Sequence, residues 1–92
     1  LIHNNFTIVP VTILKYFNLE ILDLSNNKIS LLLIEIQNLL KLEILNLEFN
    51  TFKILPIEIS KLVNLIDLNL SNNEISIIPE EFYNLPNLIR LN

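Results

Sequence analysis

Apolar residues return at fixed intervals along the whole chain. Leu19, Leu42, Leu65 and Leu88 stand 23 residues apart. The first three open the phrases LEILDLSNNKI, LEILNLEFNTF and LIDLNLSNNEI. Counting back, LIHNNFTIVP fits the second part of a preceding unit, with Leu1 in the column of Leu24, Leu47 and Leu70. No insertion or deletion breaks this register across the 92 residues. A constant period of this size predicts a solenoid, in which each unit buries its apolar face only against its neighbours. The predicted division is a partial unit at 1–18, full units at 19–41, 42–64 and 65–87, and a partial unit at 88–92, with the end caps missing.

Within a unit, Leu22 and Leu24 alternate with Asp23 and Ser25, which is the period of a strand. The predicted inward stack is Leu19, Leu22 and Leu24, then Leu42, Leu45 and Leu47, then Leu65, Leu68 and Leu70, then Leu88 and Leu91. Phe6, Ile29, Phe52 and Ile75 close one side of that core. Ile13, Ile36, Ile59 and Phe82 close the other, together with Tyr16, Leu39, Leu62 and Leu85. Burying each such side chain contributes roughly 1.5–3 kcal/mol, which accounts for how little these columns vary within the chain.

Asn4, Asn27, Asn50 and Asn73 form a further column. A sharp turn after each strand leaves backbone groups unpaired inside the coil. An Asn side chain, with donors and an acceptor, can satisfy them. The chain contains no glycine, so Asn also supplies the residues most tolerant of left-handed turns.

The pattern LxxLxLxxNxI resembles the leucine-rich repeat family. The second half of each unit, LPIEISKLVNL from Leu55, IPEEFYNLPNL from Ile78 and VPVTILKYFNL from Val9, resembles its 23-residue LPxxIxxLxxL class. The resemblance implies an α/β solenoid, a right-handed horseshoe with a parallel concave β-sheet and extended or 3-10 convex segments. It also implies an asparagine ladder and a protein–protein interaction module, usually a cytoplasmic scaffold or regulatory arm. Leu33 departs from the class where Pro10, Pro56 and Pro79 stand, which predicts a locally looser convex segment.

On this frame the positions between inward leucines face the concave groove. They are Glu20, Ile21, Asp23 and Ser25, then Glu43, Ile44, Asn46 and Glu48, then Ile66, Asp67, Asn69 and Ser71, then Ile89, Arg90 and Asn92. Adjacent strands lie ~4.8 Å apart, which makes Ile21 and Ile44 direct neighbours. An apolar strip beside acidic and amide groups suits a protein partner. The candidate contact residues are Glu20, Ile21, Asp23, Glu43, Ile44, Asn46, Glu48, Phe49, Asp67, Asn69 and Arg90, with Phe49 the leading single anchor because large aromatics carry much interface energy. Exposed Ile is also what an Ile-rich strand would show. A second apolar column, Ile8, Leu31, Ile54 and Ile77, precedes the LP pair; it either closes the core or forms a lateral contact, including with another copy of the chain.

Composition narrows the rest. The net charge is −4, and Lys15, Lys28, Lys41, Lys53, Lys61 and Arg90 form no basic stripe, so direct nucleic-acid contact is not expected. The longest apolar run, Leu31 to Ile34, is far short of the ~20 residues of a membrane span. With one histidine (His3), no cysteine and no glycine loop for phosphate, neither an enzyme nor a cofactor or metal site is expected. His3 reads as a solvated rim residue, and Glu80–Glu81 as the start of a short helical turn. The sequons at Asn5 and Asn69 do not argue for secretion, since Asn69 falls in a strand. The missing cysteines favour a reducing compartment, hence the cytoplasm. Two alternatives stay open beside the interaction module. One is a recruitment domain within a larger enzyme, such as a cytoplasmic deadenylase or an adenylate cyclase. The other is a self-assembling structural repeat.

Overall fold

Each unit contributes one short strand and one convex segment, and the units stack in chain order. The computed structural model describes residues 18–30, 34–84 and 90–91. The strands are β1 (Ile21–Asp23), β2 (Ile44–Asn46), β3 (Asp67–Asn69) and β4 (Arg90–Leu91). They form one parallel sheet in the order β1-β2-β3-β4. Ile21 pairs with Ile44 and Leu22 with Leu45; Leu45 in turn pairs with Leu68, and Leu68 with Leu91. Every ladder therefore steps by one 23-residue period, and identical columns lie side by side. The result is an open parallel-sheet solenoid, as the period predicts, with its sheet on the concave side.

Regular pairing covers only three residues per full strand, but inter-unit hydrogen bonding runs on. Leu24 N–H donates to Asn46 O at 2.9 Å and Asn26 N–H to Glu48 O at 2.9 Å. The next pair repeats this, Leu47 N–H to Asn69 O at 2.8 Å and Phe49 N–H to Ser71 O at 3.0 Å. The chain then turns through a left-handed residue, Asn26 (φ 58°), Phe49 (φ 55°) or Asn72 (φ 59°). Asn tolerates that conformation because its short polar side chain bonds locally; Phe has no such relief.

Among the described residues the convex side carries three 3-10 helices, Ile34–Asn38, Ile57–Lys61 and Glu80–Asn84, of five residues each. Pro56 caps the second with φ −65°, the value its ring imposes, and its carbonyl accepts from Ile59 N–H at 3.2 Å. Pro79 does the same for Phe82 at 3.1 Å. Leu33, the departure from proline, lies outside the described residues, yet the helix that follows it has the same length as the other two. Glu80 and Glu81 occupy the first turn of the third helix.

Side chains between the sheet and these helices form a single core. Leu22, Leu24, Leu42, Leu45, Leu47, Leu65, Leu68 and Leu70 are buried, with Ile29, Ile36, Leu39, Phe52, Ile59, Leu62 and Phe82 closing the coil; Leu19 and Ile75 pack partly against it. Leu1, Phe6, Ile13, Tyr16, Leu85 and Leu88 lie outside the described residues. One placement differs from the sequence expectation and one open alternative is resolved. Ser25 is only 4% exposed rather than open to the groove: it follows inward Leu24, and its hydroxyl is taken up by Asp23. Ile54 and Ile77, in turn, do not close the core: they are 65% and 62% exposed. They stand side by side through an isolated parallel bridge on the flank. Ile8 and Leu31 lie outside the described residues.

Candidate functional site

Two columns cross the concave sheet. Ile21, Ile44, Asp67 and Arg90 occupy the first by register, and Asp23, Asn46 and Asn69 the second. Ile21 is 61% and Ile44 37% exposed, whereas their strand neighbours Leu22 and Leu45 are buried. Half-buried Asp67 and Asn69 flank the equally inward Leu68 on β3.

The second column does structural work that sequence reasoning missed. Asp23 Oδ1 accepts from Ser25 N–H at 3.0 Å and from Ser25 Oγ at 2.7 Å. Asn46 Oδ1 accepts from Glu48 N–H at 3.0 Å, and Asn69 Oδ1 from Ser71 N–H at 3.0 Å. Each side chain thus holds the backbone as it leaves the strand. Only an oxygen is required, which explains why Asp and Asn interchange in the column. That interchange was the available signal. Asn69 also donates from Nδ2 to Glu48 Oε2 at 3.4 Å, a long contact across one unit.

Behind the sheet, the third column turns its amides into the coil. Asn50 Nδ2 donates to Leu47 O in its own unit at 3.0 Å and to Leu24 O in the preceding unit at 3.0 Å. Its Oδ1 accepts from Ile29 N–H at 3.1 Å. Asn73 repeats the set, donating to Leu70 O at 3.0 Å and Leu47 O at 2.9 Å and accepting from Phe52 N–H at 3.1 Å. Asn27 donates to Leu24 O at 2.9 Å and Ser25 O at 3.2 Å. Asn4 lies outside the described residues. Buried backbone groups that the turn would orphan are paired here instead, and no buried side-chain nitrogen or oxygen among the described residues lacks a partner. Thr51 adds a rung outside the pattern, its Oγ1 donating to Ile29 O at 3.1 Å.

What remains accessible on the concave side is acidic and apolar. Glu20 is exposed and Glu43 half-buried at the N-terminal rim, where their carbonyls anchor the following strand. Phe49, 48% exposed, stands at the C-terminal rim beside half-buried Glu48, on the left-handed turn rather than on the strand. The stretches 20–26, 43–49 and 66–72 hold Glu20, Asp23, Glu43, Glu48 and Asp67 and no lysine or arginine. Arg90 enters only at β4, in register with Asp67. A depression of about 510 Å³ lies on the flank, lined by Ser30, Thr51, Lys53, Ile54, Pro56 and Glu58. Among the described residues no group of His, Cys, Asp or Glu is placed to hold a metal ion, and no helix is long and apolar enough to cross a membrane.

Comparison with known proteins agrees with this architecture. Leucine-rich-repeat family models match residues 18–39 and 41–92. Among solved structures, a leucine-rich-repeat protein of Leptospira interrogans superposes with a TM-score of 0.70 at 49% identity. That match covers 82% of this chain and only 19% of the Leptospira protein. No curated protein matches the chain. With more than half of its length matched by one such model, and with the ladder and parallel sheet described above, the chain belongs to the leucine-rich repeat family.

Proposed function

We propose that this chain is a scaffold or adaptor module that binds a protein partner through its concave face. Leucine-rich-repeat domains generally mediate protein–protein interaction. The observation that supports the concave face is the Ile21–Ile44 pair: two exposed, β-branched side chains in direct register on a sheet face that no strand or helix among the described residues covers. Apolar atoms so placed release water when covered, at roughly 25 cal/mol per Å² of surface removed. Phe49 adds an aromatic at the rim. Glu20, Asp23, Glu43, Asn46, Glu48, Asp67, Asn69 and Arg90 would surround these anchors as a polar border. Nothing in this set has the arrangement of a catalytic site, and the module is assigned to the cytoplasm on the strength of its cysteine-free sequence.

The test is affinity capture from the source cells with the tagged protein and a variant carrying Ile21→Asp, Ile44→Asp and Phe49→Asp, after circular dichroism shows that the variant folds. A partner held by the native chain and lost by the variant supports the concave face. A partner that stays with both rules it out.

A second reading rests on the flank. Ile54 and Ile77 present an exposed apolar pair that another copy of the chain could cover. If so, sedimentation shows a mass that rises with concentration, and Ile54→Lys with Ile77→Lys restores a monomer. A native chain that is monomeric at all concentrations removes this reading.

A further inference from the structure

We infer that the occupant of the concave face is a Lys- or Arg-rich protein segment carrying apolar anchors. This rests on the concave-face reading and adds the chemistry of the partner.

One juxtaposition recurs three times on this side. Among the described residues, each exposed apolar side chain here directly follows a glutamate: Glu20–Ile21, Glu43–Ile44 and Glu48–Phe49. The first two pairs sit on adjacent strands in register, so their carboxylates line one rim beside one apolar strip. Among the described residues, neither the Glu20 nor the Glu43 side chain has a hydrogen-bond or ion-pair partner. The Glu48 carboxylate has only the long contact from Asn69.

Among the described residues, no lysine forms an ion pair with Glu20 or Glu43. Lys28 and Lys53 follow the left-handed turn, and Lys61 ends a convex helix. Lys41, the nearest along the chain, lies in the loop two residues before Glu43 and makes no ion pair with it. Carboxylates on neighbouring strands reinforce one another's potential, and at ~0.1 M salt that potential reaches about 10 Å into solvent. A partner that brings apolar side chains to Ile21 and Ile44 must bring its adjoining groups to Glu20 and Glu43. Acidic groups there are repelled and uncharged ones leave the carboxylates partly desolvated and unpaired. Lysine or arginine pairs them. Phosphate-bearing ligands meet the same repulsion, which favours a protein segment over nucleic acid or an anionic lipid surface.

The two footholds have a spacing. Ile44 and Phe49 are five residues apart, at most about 16 Å along an extended chain. A partner segment of about five extended residues, or three helical turns, spans them. Charge on such a rim acts chiefly on the association rate and on selectivity, while the apolar contacts set the dwell time.

The experiment uses the 92-residue chain and three fluorescein-labelled peptides of one length. All three carry Leu at the same two positions, and Lys, Gln or Glu at the positions flanking them. Anisotropy titrations are run at ~50 mM and ~300 mM salt with the native chain, with Glu20→Gln plus Glu43→Gln, with Ile44→Ser and with Phe49→Ser. The expected result is that the Lys peptide binds at least about tenfold tighter than the Gln peptide at low salt, with the Glu peptide weakest. High salt and the double Gln variant should each narrow that gap about threefold or more, and the Ser variants should weaken all binding. If the three peptides bind alike and the Ser variants still weaken them, the concave face is a binding face but the cationic assignment is wrong. If the Lys preference survives the double Gln variant, the attraction comes from elsewhere and the assignment is again wrong. If no peptide binds, or binding ignores both Ser variants, the concave-face reading itself fails.

Discussion

The ladder makes a sharp prediction because one substitution should have opposite outcomes at two asparagines. Asn50 is 6% exposed and uses both ends of its amide. Asn46 uses only its oxygen, for Glu48 N–H. Asn50→Ala deletes three hydrogen bonds of 3.0–3.1 Å and a longer one of 3.4 Å to Glu48 O. Two of the acceptors keep another donor: Leu24 O retains Asn27 at 2.9 Å, and Leu47 O retains Asn73 at 2.9 Å. The group left alone is the N–H of Ile29, a fully buried residue. At about 1 kcal/mol per net bond, and 1–3 kcal/mol for an orphaned buried group, the loss is about 3–4 kcal/mol. Asn50→Asp keeps the acceptor but turns an oxygen toward two carbonyls. Burial and those dipoles disfavour its ionised form and raise its folded-state pKa above the ordinary ~3.9. The folded state then holds a proton that the unfolded state gives up, so the deficit relative to the native chain is greatest at neutral pH and shrinks as pH falls toward 3.9. The protonated carboxyl can return one of the lost donors. Asn46→Asp, by contrast, preserves the only atom in use and should cost within about 1 kcal/mol, mostly repulsion from Asp23 across the strand pair. Urea titrations followed by circular dichroism at pH 7 and pH 4.5 give the three differences. Equal costs for Asn46→Asp and Asn50→Asp at pH 7, or a pH-independent deficit for Asn50→Asp, would refute the account of the ladder.

Two further substitutions probe other links. Phe49→Asn and Phe49→Ala lose the same half-buried ring but differ in tolerance of φ 55°; the Asn variant should be the more stable by about 1 kcal/mol, or about 4–8 °C in a thermal melt, and coincident melts would show that the turn is not strained. Phe52, fully buried between Ile29 and Ile75 in its column, should cost about 3–5 kcal/mol as Phe52→Ala by chemical denaturation, and a loss below 1 kcal/mol would mean that the core collapses around it.

The solenoid was legible because one number, the 23-residue period, determines which residues become neighbours. The Leu22–Leu45–Leu68 column and the Ile21–Ile44 pair follow from it without any knowledge of turns. What escaped was set by geometry that period alone does not carry. A two-residue alternation assigns Ser25 to the open groove but does not show that its hydroxyl is taken up by the Asp23 carboxylate and the residue buried. The tether that Asp23, Asn46 and Asn69 provide was hidden because Asp and Asn read as surface polarity until the bonds two residues on are seen. Phe49 looked like a strand-end aromatic; aligning it with Asn26 and Asn72 would have marked a left-handed position. The flank column was ambiguous between closure and exposure, since Leu55, one residue after exposed Ile54, is the one that fills the core.

The ladder also bears on how such a chain can change length. Asn50 and Asn73 each bond groups 2, 3, 21 and 26 residues earlier, the same four offsets. The network is therefore unchanged by translation through one unit. Duplicating a whole unit inserts a coil that finds every partner already in place and leaves its neighbours' contacts intact. Inserting a single residue between Ile29 and Leu47 shifts both long offsets at once and unpairs a buried rung. Variation in arm length by whole coils is accordingly cheap, while variation by fractions of a coil is penalised at the first asparagine it crosses.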